Sequence, residues 1–254
     1  MPTDELLTET HEGVLVLTIN RPHARNAVDT RTARAIAGAL DDFDTDDALT
    51  VAVLTGAAGT FCAGVDLKAF ARGERFTTHR GPLGMTERPP AKPMIAAVEG
   101  WALAGGCELA LSCDLIVAAE DAKFGIPEVK RGIVAAAGGL LRLPLALPYH
   151  LAMEVALTGE PLSARRAYEL GMVNRLVDPG SAVSAALDLA AAIQRNGPLA
   201  VRTTKQIMSA ATGWDDPGYW ESQRVSAEAV LSSSDAHEGA TAFAEKREPR
   251  WSGR

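Results

Sequence analysis

Two carboxylates in this chain sit where carboxylates are costly. Glu108 lies in AVEGWALAGGCELALSCDLIVAA, residues 97–119, where Cys107, Leu109, Ala110, Leu111 and Cys113 surround it. A helix that is apolar all round is buried, and a lone carboxylate on it must be paired or keep its proton. Gly105 and Gly106 fall at the start of that helix, where backbone N–H groups are unpaired and the dipole is positive. Lacking Cβ atoms, they also let another molecule approach the backbone closely. Outward N–H donors one turn from a carboxyl group are the parts of a site that polarises a carbonyl and moves a proton. Tight helix packing around a satisfied buried glutamate is the plainer reading, and on this stretch alone both stand. The second carboxylate is Glu128, in FGIPEV. Pro127 fixes the backbone before it and denies a central strand, so Glu128 is expected to project from an irregular segment. The plainer reading here is an ordinary surface glutamate.

A second cluster of small residues, GTFCAGVDLKAF at 59–70, places Ala63 and Gly64 just before Asp66-Leu67-Lys68, which read as the first turn of another helix. Two such junctions facing each other would make a two-donor oxyanion hole. Spacing does not show whether they face. The elements that must hold them are strands at 14–19, 50–55, 94–99, 115–119 and 172–177, each a short apolar run. Asp29 or Thr30 caps a helix over 31–43, and Ser163 caps another that stops at Gly171. Helices are expected at about 181–195, 198–211, 216–232 and 235–247, with capping signals at Asp178, Asn196-Gly197-Pro198, Asp215-Asp216-Pro217 and Ser234-Asp235. Pro144 and Pro148 limit helix in 135–147 to short pieces. The segment 71–92 is read as a loop whose cations, Arg72, Arg75, Arg80, Arg88 and Lys92, form a solvated face, with a lid or pocket wall as the alternative.

Composition narrows the function classes. The 254 residues suffice for one large domain, and a net charge of −7 argues against a general nucleic-acid binder. Cys62, Cys107 and Cys113 include no CxxC pair and suit buried thiols in a reducing compartment; the scattered histidines show no ligand spacing, so no metal is expected. The acidic, polar N-terminus is no signal peptide, and Glu99, Glu108 and Asp114 interrupt the longest apolar run too often for a membrane span. A cytoplasmic location is expected.

TFCAGVDLKAF, EGWALAGGCELALSCDLIVAAEDAKFGIPEV, GEPLSARRAYELGMVNRLV and the closing AFAEKREPRW resemble the crotonase superfamily, the enoyl-CoA hydratase/isomerase fold, over nearly the whole chain. The resemblance implies an α/β fold, a spiral of β-β-α turns over 1–195, with a helical C-terminal region, 196–254, that builds homotrimers or dimers of trimers. It implies an acyl-coenzyme A thioester as substrate, with coenzyme A as part of that substrate and no separate cofactor, nucleic acid or membrane partner. Carried over by residue, the oxyanion hole falls on the N–H groups of Ala63 and Gly105, and the paired catalytic carboxylates fall on Glu108 and Glu128. In the two-glutamate hydratases that pair holds one water. The residue matching Glu108 assists attack at the β-carbon, and the one matching Glu128 exchanges the proton at the α-carbon. Coenzyme A contacts fall on Arg25, Ala27, Ala63, Gly64, Asp66 and Leu67, and on Phe243 and Lys246, whose counterparts commonly reach a neighbouring subunit's coenzyme A. Two departures stand out: IVAAAGGLLRLP replaces the commoner IPGAGGTQRLP, and 71–92 matches the usual acyl-pocket segment poorly. The implied activity is hydration of a trans-2-enoyl-CoA. The alternatives are Δ3,Δ2-enoyl-CoA isomerisation or other enolate chemistry, and non-catalytic acyl-CoA binding.

Overall fold

The computed structural model of the chain describes residues 5–210, 225 and 227–254. In chain order the elements are β1 (Leu6–His11), β2 (Val14–Ile19), α1 (Thr30–Thr45), β3 (Val51–Gly56), α2 (Leu67–Ala71), β4 (Thr77–Thr78), β5 (Gly81–Pro82), β6 (Met94–Val98), β7 (Trp101–Leu103), α3 (Gly105–Ser112), β8 (Leu115–Ala119) and β9 (Lys123–Gly125). A 3-10 turn at Pro127–Arg131 follows, then α4 (Gly139–Ala146), α5 (Tyr149–Thr158), β10 (Leu162–Ser163), α6 (Ala164–Glu169), β11 (Arg175–Val177), α7 (Ala182–Gln194), α8 (Pro198–Ala210) and α9 (Ser234–Glu245).

The main sheet runs β1-β2-β3-β6-β8-β11, parallel except for the β1–β2 hairpin. Its strands are apolar on both faces because both are covered. Val14, Val16, Val51, Val53, Ile95, Ala97 and Val117 meet Ala182, Ala186 and Ala190, one stripe of α7. The alternate residues, among them Leu15, Leu17, Ala52, Leu54, Met94, Ala96 and Ile116, form the larger core with α1 and α3. A second sheet, β10-β9-β7, carries the next strand of each turn. Thus β6 leads to β7 and α3, and β8 leads to β9 and the 3-10 turn. In the earlier turns the second strand shrinks to single bridges, Val28 to Val65 and Cys62 to Ala102. This is the spiral of β-β-α turns that the motifs implied. It stacks the loops after successive strands side by side, so residues distant in sequence converge.

Several expectations need revision. The N-terminal segment forms β1, an edge strand whose side chains after the buried Leu6 are exposed and, Leu7 apart, polar. Arg80 and Lys92 are not solvated. Arg80 is buried and pairs with Asp41 and Asp44 at 2.7 and 2.6 Å. Lys92 donates to the carbonyls of Phe43, Asp46 and Leu49, which sit at and just beyond the C-terminal end of α1. An ammonium satisfies orphan carbonyls there and complements the helix dipole. Ser181, not Asp178, is the N-cap of α7. The helix expected over 216–232 falls largely outside the described residues. No helix among those described is long and apolar enough to cross a membrane.

Candidate active site

The two small-residue junctions do face each other. A Cβ built on Gly64 would come 2.7 Å from the Ala104 methyl and 3.2 Å from the Gly105 nitrogen, so only glycine permits this approach. A side chain on Gly106 would overlap the Cys62 carbonyl. Ala104, the N-cap of α3, is held at φ 52° and ψ −128°, a conformation that ordinarily belongs to glycine. It offers no side-chain cap, so the first N–H groups of α3 stay open, and Glu108 N is the first to bond back, to the Ala104 carbonyl.

The first junction is far more occupied. Ala63 N donates to the Arg25 carbonyl at 3.0 Å, Gly64 N to the Cys62 sulfur at 3.4 Å, and Asp66 N to the Val28 carbonyl at 2.9 Å. Lys68 N and Ala69 N are capped by Asp66 Oδ1. Between Cys62 and Ala69 the N–H groups of Val65 and Leu67 carry no acceptor among the described residues. The expected donor Ala63 is already engaged, and of the two open N–H groups Val65 is the nearer to it, two residues on. Neither spacing nor the resemblance could show that Arg25, whose left-handed backbone (φ 52°) turns its carbonyl inward, already uses the Ala63 N–H.

Asp66 is likewise committed. Its Oδ2 pairs with Arg21 at 2.9 Å, and Arg21 also pairs with Asp29 at 3.2 Å and donates to the Ala27 carbonyl. Burial pushes the Asp66 carboxyl up, but Arg21 and the α2 N–H groups outweigh it and hold it below the usual range. Arg21 thereby clamps the loop holding Arg25 and Ala27 to the loop holding Ala63 and Gly64. Arg25 and Leu67 are exposed beside this clamp, and Ala27 is buried. Lys246 is exposed and has no recorded contact with these loops, while the side chain of Phe243 lies outside the described residues.

Both candidate carboxylates are buried, Glu108 at 3% and Glu128 at 8% exposure, so the surface reading of Glu128 fails. Glu108 projects from the first turn of α3, and its Oε1 accepts from Ala137 N at 2.7 Å and Gly139 N at 2.9 Å. Burial raises its pKa, and the two N–H bonds and the Arg142 charge oppose that rise. Gly139 fits because a Cβ there would press on the Glu108 side chain at 2.9 Å. Glu128 projects from the 3-10 turn, and its Oε2 is buried without a hydrogen-bond partner among the described residues. Burial, then the nearby Glu108 charge, push its pKa up to about 7. At Glu108 two N–H donors and a cation thus offset part of the desolvation, whereas at Glu128 a neighbouring negative charge adds to it. The sequence reading did not identify Ala137, Gly139 or Arg142 as parts of the site. The departure at IVAAAGGLLRLP was the available signal, since it contains all three.

The family description enoyl-CoA hydratase/isomerase matches residues 9–254. The chain belongs to the enoyl-CoA hydratase/isomerase family, within the crotonase superfamily. It is 57% identical to an enoyl-CoA hydratase of Mycobacterium marinum, with a TM-score of 0.97 over 99% of this chain and 100% of that one. It is 43% identical to a carnitinyl-CoA dehydratase of Salmonella arizonae over 98% of this chain and 99% of the relative. It is also 40% identical to a mevalonyl-coenzyme A hydratase of Aspergillus fumigatus, covering 94% of this chain and 91% of that protein.

Proposed function

We propose that the chain is a 2-enoyl-CoA hydratase that adds water across the double bond of a trans-2-enoyl-CoA, with dehydration as its reverse. The observation that carries this reading is the contrast between two buried, neighbouring carboxyls, one gripped by N–H donors and one with an orphan oxygen. The thioester oxygen accepts hydrogen bonds from Val65 N and Gly105 N. These stabilise the enolate charge as it develops, and one such donor is typically worth about 10²–10³ in rate. Glu108, ionised, takes a proton from the water whose oxygen bonds to the β-carbon. Glu128, protonated, gives its proton to the α-carbon as the enolate electron pair returns. The proton on Glu108 then passes through solvent to Glu128, which resets the pair.

The same reading includes assembly as a trimer or a dimer of trimers. Val129, Leu141, Leu145, Tyr149, Met153 and Leu157, on the 3-10 turn, α4 and α5, are exposed apolar side chains that support it. In such an assembly Phe243 and Lys246 reach a neighbour's coenzyme A. Sedimentation as a stable monomer at micromolar concentration would remove this part of the proposal.

The enzymatic test is kcat for hydration by wild type, Glu108→Gln, Glu128→Gln and the double variant, with acyl-CoA affinity measured separately. Each single change is expected to cost about 10²–10⁴-fold in kcat with binding retained, and the double far less than the product of the two. One near-silent single variant would put isomerisation ahead, and a wild type that binds acyl-CoA without hydrating it would point to binding alone. A panel of enoyl-CoA thioesters with plain, hydroxylated and cationic acyl groups would fix the acyl specificity.

A further inference from the structure

Among the described residues the two buried guanidiniums are paired with carboxylates: Arg21 with Asp29 and Asp66, and Arg80 with Asp41 and Asp44. Arg142, on α4, is different. Like Arg175 it is half-buried, donates to a carbonyl (its Nη2 to that of Thr86, at 2.6 Å) and forms no ion pair among the described residues, but it sits one turn from Gly139, whose N–H holds Glu108. Burial lowers its pKa, opposed by the charges that face it, those of Glu108 and of Cys113. Cys113 is a buried thiol whose pKa is pushed above its ordinary value, so near neutrality it is uncharged. Glu108 is therefore the anion that Arg142 meets.

We propose that Arg142 is a positioning residue for the reaction: the cation facing Glu108, it decides which of two neighbouring carboxyls carries the charge and which the proton. This rests on the reading of Glu108 as base. Two carboxyls that feel each other's charge share protons as a pair, and nothing in the pair itself assigns them. The groups around Glu108 are Glu128 on the 3-10 turn, Cys107 on its own helix, and Arg142 and the N–H of Gly139 on α4. The Cys107 thiol is pushed up to about 12 by burial and contributes no charge near neutrality. The asymmetry comes from Arg142 and two N–H bonds on the Glu108 side, against an unpartnered oxygen on the Glu128 side. Without Arg142, the burial that raises Glu108 is less opposed, and the proton distributes over both.

Arg142 also joins this carboxylate to the departing segment 71–92. Thr86 is buried, its hydroxyl donates to the Pro82 carbonyl at 2.9 Å, and Leu83 on the same turn packs against Gly105, where a Cβ would lie 2.8 Å from its Cδ1. One turn of chain thus touches both the Gly105 donor and the residue that orients the base. A shift of this turn would reach Gly105 and Glu108 together.

The test reads the Glu108 carboxyl directly, by isotope-edited infrared titration with Glu108→Gln assigning the band, in wild type, Arg142→Gln and Arg142→Lys. In Arg142→Gln the Glu108 titration and the acid limb of the hydration profile are expected to move upward together. On the acid side of the limb kcat should fall by about tenfold or more, with KM changed little. Arg142→Lys should bring both back toward wild type. An unmoved Glu108 titration in folded Arg142→Gln, or a lysine variant that behaves like the glutamine one, overturns the proposal. If Arg142→Gln does not fold, Arg142→Lys decides alone: it keeps the charge, and an acid limb displaced upward in it overturns the proposal, whereas a limb at the wild-type position supports it. Near-wild-type hydration by Glu108→Gln sinks the base reading instead. A normal loss in that variant with an unmoved titration in Arg142→Gln sinks only the role of Arg142.

Discussion

Glu108 ends in two backbone N–H donors and faces a guanidinium, whereas Glu128, twenty residues on, ends in an oxygen with no partner among the described residues. Both are carboxyls, both are buried, and burial raises the pKa of each. What separates them is the company each keeps: donors and a cation offset part of the desolvation at one, and a neighbouring negative charge aggravates it at the other. Burial alone does not make an acid or a base. In the proposed reaction, local partners divide the two tasks.

The sharpest way to break the comparison uses stability, independent of any substrate. The folded pKa of Glu128 is raised from 4.5 to about 7, so its stabilising contribution is complete below the unfolded value and is lost as pH rises through 7. Glu128→Gln, which cannot ionise, is expected to be more stable than wild type at pH 8 by up to roughly 3 kcal/mol, with the advantage gone near pH 4. Urea unfolding at the two pH values measures it. Equal stabilisation at both would show that Glu128 is not a strained carboxylate. In the hydration direction the same protonation makes kcat/KM fall above about pH 7, and Glu108 sets its acid limb.

A smaller change probes the other carboxyl. Gly139→Ala puts a methyl group against the Glu108 side chain and shifts it from the Ala137 and Gly139 donors. Hydration should drop about tenfold or more while acyl-CoA affinity holds, the pattern of a lost transition-state interaction. Unchanged kcat would mean that the cradle does not position the base. Ala104→Gly is milder still. It relieves a strained backbone worth about 1–3 kcal/mol but adds about 0.5–1 kcal/mol of chain entropy cost, so chemical denaturation should show a modest net gain. A clear loss would mean that the Ala104 methyl, packed against Gly64, contributes more than its strain costs.

The comparison also explains what the sequence made legible. The continuous apolar runs at 14–19 and 115–119 coincide with strands, because a sheet covered on both faces has no polar side to show. Gly105 and Gly106 announced the open helix start because glycine is the residue such a close approach requires. β7, β9 and β10 were hidden, since three residues or fewer carry too little period to read. The buried Arg80 and Lys92 were hidden because their partners lie 36 to 49 residues away, on and beyond α1. Val65 escaped for a related reason. A backbone donor has no side-chain signature, and Val65 and Leu67 stand out only because the N–H groups around them are already used.

The division of labour between the two carboxyls is tested most directly by proton exchange at the α-carbon. A saturated acyl-CoA, which cannot be hydrated or dehydrated, is incubated in D₂O with wild type, Glu108→Gln and Glu128→Gln, and deuterium uptake at the α-carbon is followed by NMR. Glu128→Gln should abolish exchange, and Glu108→Gln should retain it while losing hydration. Exchange that survives in Glu128→Gln and vanishes in Glu108→Gln would contradict the assignment of acid and base.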